Sequence, residues 1–141
     1  MTERPVPVPD DASEPFWAAA AQHVLTVARC AQCGHYTVPP DVMCPHCHST
    51  EPGFEFTPFS GRGIVRSWTV VRQAFLPGFQ DDLPFVLVDV ELLEQKELRL
   101  IGRLLDGPGV LDEGLHVGDA VVVGFEDLAQ GVAVPAFELS R

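Results

Sequence analysis

Residues 29–50, "RCAQCGHYTVPPDVMCPHCHST", hold all four cysteines of the chain in two CxxC pairs, with three of its five histidines between and beside them. The spacing is Cys30-x2-Cys33-x10-Cys44-x2-Cys47. Each CxxC brings two sulfurs within reach of one ion, and the residues between the pairs suffice for a β-turn-β excursion that returns the second pair to the first. Gly34 directly after Cys33 can take a positive φ that turns backbone amides toward the sulfurs, and Pro45 stiffens the second turn. The pattern predicts a tetrahedral ribbon holding one structural zinc through Cys30, Cys33, Cys44 and Cys47.

Two other readings share these residues. A redox CxxC needs one pair in a thioredoxin-like βαβ context, which the flanking sequence lacks. A four-cysteine iron site uses the same ligands, and spacing does not separate it from zinc. Four thiolates close the coordination shell and leave no position for water, so the metal reads as structural. His35, His46 and His48 then read as solvated neighbours of the ligands.

Around this segment the composition is globular, with 46% hydrophobic and 21% charged residues. Thirteen prolines and twelve glycines imply many turns and short elements, which favours β structure. The formal charge is −11, which weighs against a nucleic-acid partner at long range. The start, "MTERPVPVPDD", lacks the basic residues and apolar stretch of a secretory signal, and no apolar run approaches the ~20 residues of a membrane span. The expectation is a cytoplasmic protein whose cysteines stay reduced.

Residues 1–12 read as an extended arm because Pro5, Pro7 and Pro9 fix alternate φ angles. "SEPFWAAAAQHVL" reads as a helix with Ser13 as N-cap and Pro15 in the first turn. Its Phe16 and Trp17 either pack on the body of the protein or dock a partner. Short strands are predicted at 25–29 and 35–38, then a series at 62–73, 84–93, 97–105, 119–126 and 131–138. In the third of that series Leu98, Leu100, Gly102 and Leu104 share one face, and Arg99, Ile101, Arg103 and Leu105 the other. "PFVLVDVEL" and "AVVVGF" are continuously apolar, as strands covered on both faces would be. "LLEQKEL" reads as a hairpin loop, and "DGPGVLDEGLHVGD" as a loop or one-turn element. The expected fold is mainly β: an arm and helix over 1–23, a zinc ribbon over 24–58, and a five-stranded OB-type barrel over 59–141, with an SH3-like barrel also compatible.

No nucleophile stands beside a recognisable base, and GxSxG, HExxH, Walker and GxGxxG motifs are missing. "SGRGI" at 60–64 reads as a flexible lead-in to a barrel strand.

A short helix, CxxCG, "PP" followed by CPxC, then "SGRGIVRSWTVV", "PFVLVDVEL", "LIGRLL" and "VPAFEL" resemble bacterial and archaeal proteins that join a rubredoxin-like zinc ribbon to a C-terminal OB fold. The likeness runs from about Ser13 to Leu139. It implies a non-catalytic accessory subunit that binds a thiolase-like or other acyl-CoA-processing enzyme. Some members serve aldolases acting on sterol side-chain CoA esters, supporting the enzyme's folding and helping to form its substrate entrance. The alternatives are a nucleic-acid-binding module and a stand-alone acyl-CoA-binding protein.

Two further sets of residues are candidates for contact. The loop 73–84, "QAFLPGFQDDLP", carries Phe75, Leu76 and Phe79, which either meet the partner or its acyl substrate or fold onto the barrel as a lid. Arg62, Arg66, Arg72, Arg99 and Arg103 fall on the first and third barrel strands, where they either contact CoA phosphates or pair with acids across strands.

Overall fold

The apolar segments resolve into two sheets in the computed structural model, which describes residues 4–140. The first three residues of the expected arm and the last residue of the barrel segment lie outside the described residues. Helix α1 spans Glu14–Ala20, and Pro15 lies in its first turn as expected. Ser13 sits at the N-cap position but does not cap α1 with its side chain. Its hydroxyl donates to Asp10 Oδ1 at 2.6 Å, and Asp10 Oδ1 also accepts the Ser13 N–H at 2.8 Å. These bonds hold the Asp10 carboxyl below its ordinary pKa.

The ribbon sheet has three strands, β1 (Thr26–Arg29), β2 (Tyr36–Thr37) and β3 (Glu55–Pro58), in the order β2-β1-β3. The third was not expected: residues 54–57, "FEFT", alternate apolar and polar, but the run is short and ends in proline. It is a strand through antiparallel pairing with β1 from Thr26↔Pro58 to Arg29↔Glu55.

The second sheet holds β4 (Arg62–Val71), β5 (Phe85–Leu92), β6 (Arg99–Arg103), β7 (Ala120–Ala129) and β8 (Val132–Leu139), in the order β6-β5-β4-β7-β8. A parallel bridge, Leu104↔Phe137, joins its ends, and Leu105 N–H donates to Phe137 O at 2.7 Å. This Greek-key closure is the OB arrangement. One-turn helix α2 (Val110–Glu113) fills the connection between β6 and β7. Strand β7 outruns its expected end because its hairpin pairing with β8 continues, through an irregularity between Asp127 and Ala129, to Ala129↔Val132. In β5 the two faces are covered unequally: Val86, Val88, Val90 and Leu92 are buried, while Phe85, Leu87, Asp89 and Glu91 are half-buried. Gly61 begins the "GRG" segment at φ +80°, where a Cβ would lie 2.1 Å from Val123 Cγ1, so the lead-in to β4 needs glycine for close approach.

Ribbon and barrel share one core. Leu25, Val27 and Phe59 cluster with Val65, Val88, Leu104 and Phe137, and Tyr36 and Val38 pack against the same cluster. The face of β1 opposite Val27 is covered by α1, which accounts for burial of Thr26 and Ala28. At the end of α1, His23 Nε2 lies 2.8 Å from Asp127 Oδ1, and its ring stacks on Phe125. No helix among the described residues is long and apolar enough to cross a membrane.

Candidate metal centre and contact surfaces

Each CxxC is bent into a knuckle by its own backbone. Gly34 N–H donates to Cys30 O at 2.8 Å with Gly34 at φ +80°, and His48 N–H donates to Cys44 O at 2.9 Å. The second turn also aims two amides at sulfur: His46 N–H and Cys47 N–H lie 3.4 and 3.5 Å from Cys44 Sγ. All four cysteine sulfurs lie within 4.8 Å of one another. The contacts run between the knuckles, Cys30 to Cys47 at 3.8 Å and Cys33 to Cys44 at 3.7 Å. A metal–sulfur bond of about 2.3 Å in a tetrahedron gives sulfur–sulfur edges of about 3.8 Å, so the cluster fits one ion and is far too open for disulfides.

The thiols differ in acidity. Cys44 is lowered to about 6, first by the Cys47 N–H and then by the His46 N–H and neighbouring thiols. At Cys33 the His35 N–H acts to lower the pKa, but burial and the other three thiols overcome it and push the group up to about 11. Metal binding at this cluster is therefore coupled to proton release.

The histidines stand beside this centre and do not join it. His35 and His46 stack with centroids 4.1 Å apart, and burial followed by the nearby His46 charge lowers the His35 pKa. A Cβ on Gly34 would lie 2.9 Å from Arg29 Nη2, so the Arg29 guanidinium covers the first knuckle.

Gln95, in the β5–β6 hairpin loop, ties this centre to the barrel. Its Oε1 accepts the Tyr36 N–H at 3.0 Å, its Nε2 donates to Tyr36 O at 2.9 Å, and Nε2 lies 3.3 Å from His35 Nε2. The side-chain amide thus behaves as one more residue of a strand against the free edge of β2. Nothing in "LLEQKEL" signals this, since the partners lie about sixty positions upstream.

The five candidate arginines do not converge on one site. Arg66 pairs with Glu97 at 3.0 Å and Glu91 at 3.3 Å. The hydrogen bond from Arg66, then its charge, holds the Glu97 carboxyl below its ordinary value. Arg99 binds Asp89 and lies 3.6 Å from Glu97. Arg103 binds Asp82 at 3.1 Å, approaches Glu126 at 3.8 Å, and lies over the Phe85 ring. Arg62 and Arg72 are exposed and form no ion pair among the described residues.

The loop before β5 splits its apolar residues. Phe79 is half-buried against Phe85, with the Arg4 guanidinium 5.5 Å from its ring centre. Phe75 and Leu76 project outward, 87% and 57% exposed. Phe16 and Trp17 meet edge-to-face and are both half-buried, Phe16 against the core. Besides a small recess of about 40 Å³ shared with Pro7, Pro9 and Val132, Trp17 borders two larger ones. One, of about 260 Å³, lies between the arm and the barrel and includes Arg4, Phe79, Phe85 and Arg103. The other, of about 140 Å³, lies between α1 and the ribbon. The second combines α1, β1 and residues 37–40, a juxtaposition no local sequence pattern marks.

Residues 17–53 match the family model described as "ChsH2, rubredoxin-like zinc ribbon domain", and residues 56–126 match "ChsH2, C-terminal OB-fold domain". The chain is 32% identical over 123 residues to a probable enoyl-CoA hydratase alpha subunit of Thermomonospora curvata, spanning 86% of this chain but only 36% of that protein. It is 28% identical over 106 residues to a DUF35 domain-containing scaffold protein of Methanothermobacter thermautotrophicus, covering 75% and 74% of the two chains. Among solved structures it is similar to the Ltp2-ChsH2(DUF35) aldolase, with a TM-score of 0.77, 28% identity, and coverage of 94% of this chain and 98% of that one. A DUF35-family protein of unknown function from Sulfolobus solfataricus shares the fold, with a TM-score of 0.56 at 16% identity over 92% of this chain and 86% of that one.

Proposed function

The chain belongs to the ChsH2 family of zinc-ribbon and OB-fold proteins, and from that premise we propose that it is a non-catalytic accessory subunit of an acyl-CoA-processing complex. The observation that carries the proposal is the end-to-end similarity to a chain of an aldolase complex, over 94% of this chain and 98% of that one. Relatives named as a scaffold protein and as a hydratase alpha subunit favour the same kind of role. The partner in this reading is a thiolase-like enzyme, in the sharpest form a retro-aldolase acting on sterol side-chain CoA esters, whose entrance this subunit helps to build.

Within that role Cys30, Cys33, Cys44 and Cys47 hold one structural zinc. When bound, the ion supplies cross-linking, not chemistry, because four thiolates fill its shell. Phe75 and Leu76 are the residues of the loop offered to the partner, and Phe79 anchors that loop to Phe85. Because Arg66, Arg99 and Arg103 are committed to carboxylates, a contact with CoA phosphates falls to Arg62 and Arg72.

Affinity purification of the full chain from its source cell, followed by identification of subunits present in stoichiometric amount, tests the role. Recovery of a thiolase-like or other acyl-CoA enzyme supports it, and a chain purified without one contradicts it. In the recovered complex, Phe75→Ser is expected to weaken assembly while leaving the melting temperature of the isolated chain unchanged.

A further inference from the structure

The recess between α1 and the ribbon is formed from parts with no shared local purpose. Phe16 and Trp17 form one wall, Val38, Pro39 and Pro40 the other, and Phe56 borders it from β3. Ala28 and Thr26 of β1 lie in its floor, and the Thr26 hydroxyl is buried without a hydrogen-bond partner. The apolar character continues along the chain into Val42 and Met43, which are 85% and 41% exposed. A volume of about 140 Å³ suits one large apolar side chain, not a cofactor.

The charged residues next to its lining on the helix and on residues 37–40 are acidic. Exposed Asp10 and Glu14 flank Ser13 on the helix side, and exposed Asp41 follows Pro40 on the ribbon side. No lysine or arginine lines the recess, and the chain as a whole carries −11. The basic residue of β1, Arg29, is directed to the knuckle at Gly34. An apolar floor under an acidic rim is complementary to a segment that offers an apolar anchor between cations, and opposed to one flanked by acids.

Resting on the accessory-subunit reading, we infer that this groove docks a segment of the partner enzyme that inserts one large apolar side chain flanked by Lys or Arg. It is a second contact surface, separate from Phe75 and Leu76, and it uses α1 and the ribbon together. Each exposed carboxylate on the rim adds a modest, salt-sensitive share of the affinity.

The test titrates the isotope-labelled, zinc-loaded full chain with an acetylated octapeptide whose Leu-Phe centre is flanked by Lys pairs, and with its Glu-for-Lys counterpart. The expected result is amide shift changes confined to residues such as Trp17, Ala28, Thr37 and Phe56, produced by the Lys peptide alone. Glu14→Lys and Asp41→Lys, both at exposed positions, should each weaken binding by about threefold at low salt, with the difference fading near 1 M salt. Equal binding of both peptides, or shifts located elsewhere, overturns the inference. The same two variants are carried into the purified complex. An intact complex insensitive to both refutes this groove while the accessory role stands. Groove-specific peptide binding in a chain that recovers no acyl-CoA enzyme supports the surface while removing the role.

Discussion

Gln95→Ala removes the amide that bridges the barrel hairpin to the ribbon edge. Two bonds to Tyr36 are lost, at 3.0 and 2.9 Å, and both ends of the contact are half-buried. A neutral hydrogen bond contributes about 1 kcal/mol net, and water can reach the vacated backbone groups in part, so the expected loss is about 2 kcal/mol. For a chain of this size that lowers the melting temperature by about 6 °C. The assay is thermal unfolding with zinc in excess, so that metal occupancy is equal in both proteins. Gln95→Glu sharpens the test, because a carboxylate can accept from Tyr36 N–H but meets Tyr36 O with a second acceptor. It should lose at least half as much as the alanine variant at neutral pH. A melting temperature within about 1 °C of the parent for both variants would show that water replaces the bridge and that the two sheets are held by apolar contact alone.

Cys30→Ser and Cys47→Ser should each bring zinc below one per chain, read by metal analysis, and lower the melting temperature; full stoichiometry in both would refute the ligand set. Thr26→Val deletes a buried hydroxyl that has no partner while keeping its shape, and should raise the stability of the isolated chain by about 1 kcal/mol in urea unfolding. A fall in stability would reveal a partner for that hydroxyl in solution. The depressed Glu97 carboxyl makes the Arg66 pair pH-dependent. With the folded value below the ordinary 4.5, its contribution is present above that pH and lost as pH falls through the folded value. Arg66→Met should therefore destabilise the chain at pH 6 and do so less as the pH falls below 4.5; a penalty independent of pH would refute the pairing.

The parts of this molecule legible in its sequence are those where chemistry acts over short separations. Cys30 and Cys33 must stand at knuckle spacing to share an ion, so their pattern survives in any ribbon. Strand β6 displays its faces because Leu98, Gly102 and Leu104 are buried while Ile101 is exposed. Strand β3 was hidden because the alternating run from Phe54 to Thr57 is short and stopped by Pro58, and it depends on β1 for pairing. Ser13 has the right identity for a cap, yet its hydroxyl oxygen accepts the Asp10 N–H in place of a helix amide. Gln95 and the groove beside Trp17 are long-range products, fixed only when distant segments meet.

The shared core also sets a timetable for synthesis. Val27 and Phe59 leave the ribosome well before Phe137, which packs in the same cluster and joins the barrel's ends with Leu104. Between Val27 and Phe137 translation runs for roughly ten seconds. Through that interval the ribbon's inner face has no barrel to cover it, while all four of its cysteines are already available. With zinc bound as proposed, metal capture is a cross-link the nascent chain can make before the barrel closes over the ribbon.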